Sequence, residues 1–376
     1  MLALGREFHR HGCDVTFATH PDYQDKVEAE SLRYARLGQR IDELPKDVWE
    51  NATTSKHSIR FIINEFVVPN LRTQYEQLEA CGDFDLAVVH PLAIALPMIA
   101  EKRKKPWVST SLSPLTIQSA EDASIQQGLP FNIGALQPMS PKMFRLLIRL
   151  ATWQIDQWLK PAYELRKELG LPRGKNPLVQ GQFSPYATLV LFSELMQKPQ
   201  TDWPKNSYQL GFPLYRVPGA RLSEEIEDKL AKHPDPIVFT MGTAAINARR
   251  EFFDEIIAEL NRRGRPALFA SNEPYHLLFP RASVIVHSCG IGTCAEALAS
   301  GHPQIPVPFA NDQPDNAYRL ERLGVGQRIP FREFTPRKFF SVLEIIETTA
   351  VKKRAEESAR IIRENDFSAK LAHFLS

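Results

Sequence analysis

An α/β fold is indicated first by residues 284–316, VIVHSCGIGTCAEALASGHPQIPVPFANDQPDN. A run of β-branched residues ends at a small, glycine-rich turn, and a helical pattern begins directly after it. Gly290 and Gly292 allow the backbone to approach a ligand closely and to adopt positive φ. Thr293 is placed to cap a helix that begins at about Cys294. A helix N-terminus after such a turn presents free N–H groups, so this turn is suited to a phosphate or a diphosphate.

Asp312 and Gln313 follow the next predicted strand, PQIPVPF. Ligands of open α/β sheets bind at the carboxyl ends of the strands, so we expect both residues to face the same site as the turn. An acid and an amide side by side suit the hydroxyl groups of a sugar.

The turn has a second interpretation, because G-I-G-T-C-A also fits the dinucleotide fingerprint G-x-G-x-x-A. Asp312 then stands 20 residues after Gly292, where an acid that binds ribose is expected. Two observations argue against a dinucleotide-dependent oxidoreductase. The fingerprint normally occupies the first βα turn of its domain, whereas at least two strands precede it in this half of the chain. A ribose-binding acid also normally ends its strand without an appended Gln-Pro-Asp-Asn.

The chain as a whole alternates strands and helices. Its 376 residues are too many for one compact core, so two domains are expected. Continuous apolar strands separated by helices indicate parallel sheets that are covered on both faces. The strand predictions are DVTFATH, FDLAVVHP, PWVSTSL, TLVLFS, PIVFTMG, PALFAS, ASVIVHS and PQIPVPF. The predicted parts are an N-terminal domain at 1–213, a C-terminal domain at 214–350 and a helical tail at 351–376.

Composition excludes several classes of protein. A net charge of +2 gives no concentrated basic face for nucleic acid. The four cysteines form no C-x2-C pair, so we expect no zinc site and no disulfide framework, and a reduced, cytoplasmic location fits best. The longest apolar run, LAVVHPLAIALPMIA, is shorter than the roughly 20 residues of a membrane-spanning helix and contains two prolines.

The start of the chain departs from a doubly wound domain, which normally opens with a strand and a glycine-rich turn. The apolar spacing of Leu2, Leu4 and Phe8 predicts that the chain begins within the first helix, which Gly12 ends. The first strand and its turn are therefore expected to be missing from this sequence.

The segment HSCGIGTCAEALASGHPQIPVPFANDQPDNAYRLERLGVG closely resembles the donor-binding signature of UDP-glycosyltransferases with the GT-B fold. The similarity is greatest to the bacterial natural-product and sterol glucosyltransferase branch. LALGREFHRHGCDVTFATHPDY, PWVSTSLSP, GFPLYR and PIVFTMGTA carry further matches. The resemblance implies two facing Rossmann-like domains with a cleft between them, the first for an acceptor and the second for a nucleotide sugar.

The resemblance also implies roles for individual residues. The diphosphate would be bound by Gly290, Gly292 and Thr293, with Gly242 and Thr243 beside it. Glu296 would hold the ribose hydroxyls of the nucleotide, and Asp312 and Gln313 would bind the donor sugar. The family usually has two histidines before the glycines, whereas this chain has His287 followed by Ser288, which can donate one hydrogen bond but carries no charge. The connection between PALFAS and ASVIVHS is also about twenty residues shorter than in the family.

The implied reaction is transfer of a sugar, with inversion, from a UDP-sugar or another nucleotide sugar to a hydroxyl group of a small, lipophilic acceptor. No metal or cofactor is expected, because N–H groups and the helix dipole stabilise the leaving diphosphate. The family's catalytic base lies in the first βα turn, before Met1, and His20 and His90 are weaker candidates because residues of this kind are more often polar loop residues. Two alternatives remain: a nucleotide-sugar-binding protein with little turnover, and the dinucleotide-dependent oxidoreductase.

The predicted helix at Met143–Leu159 is rich in apolar and aromatic residues and carries Arg145 and Arg149. Such a helix could line a lipophilic acceptor pocket or contact a membrane surface, although a plain core helix is the more common explanation.

Overall fold

A computed structural model describes residues 1–39, 58–125, 140–217, 219–241, 246, 249–270 and 273–376. The chain divides into two compact units. The N-terminal unit comprises Met1–Phe192, Pro199–Pro213 and Phe367–Ser376, and the C-terminal unit comprises Ser193–Lys198 and Leu214–Asp366. The predicted tail at 351–376 therefore contributes to both units.

The C-terminal unit is a four-stranded parallel sheet with helices on both faces. Its strands are β7 (Ile237–Phe239), β8 (Ala267–Phe269), β9 (Val284–His287) and β10 (Gln304–Pro306), in the order β10-β9-β7-β8. Its helices are α8 (Glu224–Lys232), α9 (Arg250–Arg262), α10 (Tyr275–Leu278), α11 (Ile291–Ser300), α12 (Gln313–Leu323), α13 (Pro336–Ile346) and α14 (Thr349–Glu364).

The strands of this sheet are apolar on both faces, as the continuous hydrophobic runs predict. Ile237 and Phe239 of β7 pack with α9 and α13 on one face, whereas Val238 packs with α8 and α10 on the other. Successive side chains of a strand point to opposite faces, so one short strand contributes to two cores. The prediction of a doubly wound parallel sheet is confirmed for this unit.

The N-terminal unit contains a four-stranded parallel sheet and a separate two-stranded one. The larger sheet consists of β3 (Ala87–Val89), β4 (Trp107–Ser111), β5 (Ala187–Val190) and β6 (Ser207–Gln209), in chain order. The smaller sheet pairs β1 (Thr16–Thr19) with β2 (Arg33–Arg36). The helices are α1 (Leu2–Arg10), α2 (Gln24–Glu28), α3 (Ser58–Phe61), α4 (Leu71–Glu79), α5 (Ala95–Arg103), α6 (Pro141–Trp158), α7 (Lys160–Glu168) and α15 (Phe367–Leu375).

The two sheets of this unit border the same core without a shared ladder in the described residues. Val15, which precedes β1, and Val88 of β3 both pack against one cluster that includes Leu4 and Phe8 of α1. The chain does begin in a helix, and Gly12 follows it with a φ of +84°. Strands β2 and β6 were not predicted, because RYAR and SYQ are short, polar runs without continuous hydrophobicity.

Candidate functional site

The order of the strands in the C-terminal unit locates a crevice for a ligand. From β7 the chain moves to β8 on one side and then returns to β9 on the other side. Connections that leave in opposite directions open a crevice outside the carboxyl ends of β7 and β9, which is where open α/β sheets bind ligands. The glycine-rich turn follows β9, so it lies at this switch point. Gly242 and Thr243 follow β7 in the chain but lie outside the described residues.

The conformation of the turn corrects two details of the sequence prediction. Positive φ falls on Cys289, at 66°, and not on Gly290 or Gly292. Helix α11 begins at Ile291 with Gly290 as its N-cap and without a side-chain cap, so Thr293 lies inside the first turn. The helix therefore starts three residues earlier than the predicted start at Cys294.

The front of the turn is open. A Cβ atom added to Gly290 or Gly292 would meet nothing within 4 Å, so a larger side chain would occupy the space where a ligand can lie. The first intrahelical bond runs from the Cys294 N–H to the Gly290 carbonyl at 3.0 Å. Within the described residues, the N–H groups before it, from Ile291 to Thr293, donate to no protein acceptor. Free N–H groups and the positive end of the helix dipole together favour an anion.

Glu296 lies three residues after Thr293 in α11 and carries a polar atom without a partner in the described structure. Arg216 donates a hydrogen bond to its Oε1, whereas its Oε2 is buried and has no hydrogen-bond partner in the described structure. Burial raises the pKa of this carboxyl, and the Arg216 guanidinium opposes that rise. A buried carboxylate oxygen without a partner is costly unless a ligand satisfies it. The sequence indicated Glu296 but missed Arg216, although GFPLYR carried a resemblance.

Asp312 and Gln313 lie at the start of α12, and neighbouring groups hold both side chains in place. The Asn316 amide donates to Asp312 Oδ2 at 2.8 Å. Gln313 Oε1 accepts from the N–H groups of Phe309 and Ala310, at 2.8 and 3.2 Å. This leaves the Gln313 amide nitrogen as the group that can donate to a ligand. Burial raises the pKa of Asp312, and the hydrogen bond from Asn316 opposes the rise.

A buried ion pair fixes the position of α12 on its side facing away from the crevice. Arg319 Nε donates to Asp315 Oδ2 at 2.8 Å, and both side chains are fully buried. Arg319 also donates to the Met196 carbonyl at 3.1 Å, which fixes the helix to the Ser193–Lys198 segment of the same unit. This pair keeps the Asp312 end of the helix in place without forming part of the crevice.

The side chain of His287 lies in the interior of the unit. Its Nε2 is 3.0 Å from Gln304 Oε1, and its Nδ1 accepts from the Cys289 N–H at 3.3 Å. Burial raises the pKa of both Cys289 and Cys294, but for Cys294 the hydrogen bonds with Cys289 and His287 prevail and lower its pKa to about 7. Ser288, by contrast, is only half-buried and sits between His287 and the turn.

The two candidate bases lie in the N-terminal unit, after β1 and β3. His20 caps the 3-10 turn Pro21–Tyr23 by accepting from the Asp22 N–H, which is a structural role. Burial, with a smaller contribution from the N-terminal ammonium, lowers the pKa of His90 to about 4. His90 is then neutral at pH 7, but it binds a proton too weakly for an efficient general base at that pH.

Helix α6 carries an exposed apolar stripe. Met143, Leu146, Leu150 and Trp153 repeat at helical spacing on its outer face, and Trp153 is 67% exposed. The opposite face of the helix is buried, with Phe144 packed on Ala120 and Ala123. In the described part of the chain, none of the helices has the length and apolar character needed to span a membrane.

Comparisons with known proteins agree with this geometry. Residues 249–369 match a family model described as "Erythromycin biosynthesis protein CIII-like, C-terminal domain". The chain is 28% identical over 279 residues to the O-mycaminosyltylonolide 6-deoxyallosyltransferase of Streptomyces fradiae. This alignment covers 67% of this chain and 63% of that protein. It is 36% identical over 421 residues to the sterol 3-beta-glucosyltransferase UGT80A2 of Arabidopsis thaliana. This second alignment covers 97% of this chain and 61% of that protein.

Among solved structures, the glycosyltransferase VinC in complex with dTDP superposes with a TM-score of 0.65 at 18% identity, over 100% of this chain and 94% of that one. A likeness at this identity concerns the fold. The chain spans less than two thirds of the length of the two curated relatives. The sequence matches, the fold and the turn after β9 together show that the chain belongs to the UDP-glycosyltransferases of the GT-B fold.

Proposed function

We propose that the protein transfers a sugar, with inversion, from a nucleoside diphosphate sugar to a hydroxyl group of a small, lipophilic acceptor. The observation that carries the proposal is the pairing of two features at the start of α11. The N–H groups of Ile291 to Thr293 have no protein acceptor in the described structure, and the space beside Gly290 and Gly292 is open. Glu296 Oε2, about one helical turn further along, is buried without a partner. The first feature suits a diphosphate and the second suits the ribose hydroxyls of a nucleotide.

In the proposed reaction the acceptor oxygen attacks the anomeric carbon from the face opposite the diphosphate. The new C–O bond forms as the bond to the diphosphate oxygen breaks, and the acceptor proton passes to a base. The N–H groups of Ile291, Gly292 and Thr293 stabilise the charge that develops on the diphosphate. No metal ion or other cofactor is required for this step. Neither His20 nor His90 is assigned as the base, because His20 caps a 3-10 turn and burial lowers the pKa of His90 to about 4.

The sugar end of the site is tested with two near-isosteric replacements. Asp312→Asn retains an oxygen for Asn316 but removes the charge, and Gln313→Glu retains the oxygen bound by Phe309 and Ala310 but removes the donor. Since a hydrogen bond of this kind contributes about 0.5–3 kcal/mol, we expect each variant to bind UDP-glucose ~10-fold more weakly and UDP with unchanged affinity. Calorimetric titration measures both affinities.

Glu364→Gln is the matched control, because Glu364 is an exposed residue at the end of α14. It should leave both affinities unchanged. Equal losses for UDP and UDP-glucose in the Asp312 and Gln313 variants would show that these residues support the turn and do not contact the sugar.

We further propose that the protein acts in the cytoplasm and meets its lipophilic acceptor at a membrane surface, through the exposed stripe of α6. Lys142 and Arg149 are exposed beside the stripe, so apolar side chains and cations lie on neighbouring parts of one helix surface. That arrangement favours shallow insertion into an anionic lipid surface.

We expect the protein to sediment with vesicles that contain phosphatidylserine and to sediment more weakly with vesicles of phosphatidylcholine alone. Trp153→Ser should abolish the sedimentation, and unchanged sedimentation of that variant would refute the assignment.

A further inference from the structure

We propose that His287, Cys289 and Cys294 form a binding site for a thiophilic cation such as Zn²⁺, directly behind the glycine-rich turn. One nitrogen of His287 and the two sulfur atoms all lie within 4.8 Å of one another, and all three residues are fully buried. Thiolate and imidazole are the ligands that Zn²⁺ and Cu⁺ prefer. The cysteines are spaced C-x4-C across the turn, a pattern unlike the C-x2-C pairs by which zinc sites are usually recognised.

The separation of the donor atoms is close to that of a loaded site. With bonds of about 2.0–2.3 Å, donor atoms around one Zn²⁺ end roughly 3.5–4 Å apart. The three atoms therefore need to approach one another by at most about 1.3 Å, which side-chain rotations can supply. Three protein ligands leave one of the four usual positions of Zn²⁺ for water.

The surroundings of His287 determine which of its ring nitrogens carries the lone pair. Its Nε2 lies 3.0 Å from Gln304 Oε1, an acceptor, so the proton is on Nε2 and the lone pair is on Nδ1. Nδ1 accordingly accepts from the Cys289 N–H, and a cation bound to this nitrogen would replace that hydrogen bond. Histidines that bind metals characteristically donate their other ring nitrogen to an oxygen in this way, which sets the tautomer and the orientation of the ring.

The charge balance favours a divalent cation. On binding, each thiol forms a sulfur–zinc bond and releases its proton to the buffer, and Zn²⁺ exchanges water for the two sulfurs and the nitrogen. Two thiolates and one Zn²⁺ are neutral together, which reduces the cost of placing charge in a buried site. No oxidant or reductant takes part.

A bound cation would connect the end of β9 to the first turn of α11. His287 is the last residue of β9, Cys289 is the residue with positive φ, and Cys294 lies in the first turn of the helix. The cation would therefore restrain the segment Gly290–Thr293 from both sides. This effect on stability is independent of whether the turn binds a nucleotide.

The test is titration of the reduced, chelator-treated protein with Co²⁺ and Zn²⁺. We expect one equivalent of Co²⁺ to bind with a thiolate-to-cobalt charge-transfer band, and Zn²⁺ to displace it and raise the melting temperature. Cys289→Gly and Cys294→Ala should each weaken Co²⁺ binding more than about 100-fold, because they remove a ligand rather than its support. Glycine accepts the positive φ at position 289, so the first variant should retain its fold.

Cys13→Ser and Cys81→Ser are the matched controls, since these cysteines lie in the N-terminal unit and outside the cluster. They should bind Co²⁺ as the unaltered protein does. The proposal is overturned if the unaltered protein shows no charge-transfer band, or if the band survives in both cluster variants. It is also overturned if, in a variant that combines Cys13→Ser with Cys81→Ser, excess Zn²⁺ fails to slow alkylation of the two remaining thiols.

Discussion

Replacing Asp315 by alanine is expected to reduce the free energy of unfolding by about 3–5 kcal/mol. The change leaves the Arg319 guanidinium fully buried without the Asp315 carboxylate. A buried charge that loses its partner keeps the cost of leaving water and loses the compensating attraction. Urea unfolding followed by circular dichroism measures the loss, and hydrogen exchange should localise it to α12.

Two further variants separate this effect from a general one. Glu364→Ala removes the partner of Arg360 in an exposed pair, so it should cost no more than about 1 kcal/mol. Replacing both buried partners, as Asp315→Leu with Arg319→Met, should recover most of the lost stability, because neither charge remains. A loss for Asp315→Ala no greater than that for Glu364→Ala would contradict the assigned role of the pair.

The second large effect concerns the nucleotide, and it arises from Glu296. We expect Glu296→Ala to weaken UDP binding by about 2–3 kcal/mol, which is ~30–150-fold, since hydrogen bonds to a charged group are among the stronger ones. The carboxylate has one oxygen held by Arg216 and one without a partner, so two vicinal hydroxyls of a ribose would complete it. Isothermal titration of the variant and the unaltered protein gives the difference.

A ligand that lacks the hydroxyls supplies the control. The 2′,3′-dideoxy form of UDP should bind both proteins with similar, weak affinity. Removing the ribose hydroxyls and replacing Glu296 together should then reduce the binding free energy little more than either change alone. If Glu296→Ala weakened the dideoxy nucleotide as much as UDP, the residue would act on the structure of α11 and not on the ribose.

The sequence predicted the fold well where the physical signal was strong. Strands such as β7 and β9 are continuous apolar runs between turn residues, and burial on both faces makes such runs unambiguous. Strand β2, by contrast, is RYAR, in which the end residues are exposed, so nothing in its composition distinguishes it from a loop.

The sequence predicts where the candidate site lies in the chain, but it predicts less well the backbone conformation of the turn and the partners of its side chains. The glycines located the turn, but the positive φ fell on Cys289, because the backbone turns one residue before them. The partners Arg216 and Asn316 come from distant or unremarkable positions, and only folding shows that they orient Glu296 and Asp312. Likewise, the spacing of Cys289 and Cys294 does not predict a shared site, since their approach to His287 depends on the shape of the turn.

If the turn after β9 binds the nucleoside diphosphate of a sugar donor, the protein must bind UDP in preference to NAD, and separate titrations with the two compounds test this most directly. Calorimetric titration with each compound should show saturable binding of UDP in a one-to-one complex, weakened by Glu296→Ala, and binding of NAD that is too weak to measure. Binding without turnover would still support the site, since the catalytic base is a separate question. Tight binding of NAD together with no response to UDP would contradict the account and favour a dinucleotide-dependent oxidoreductase.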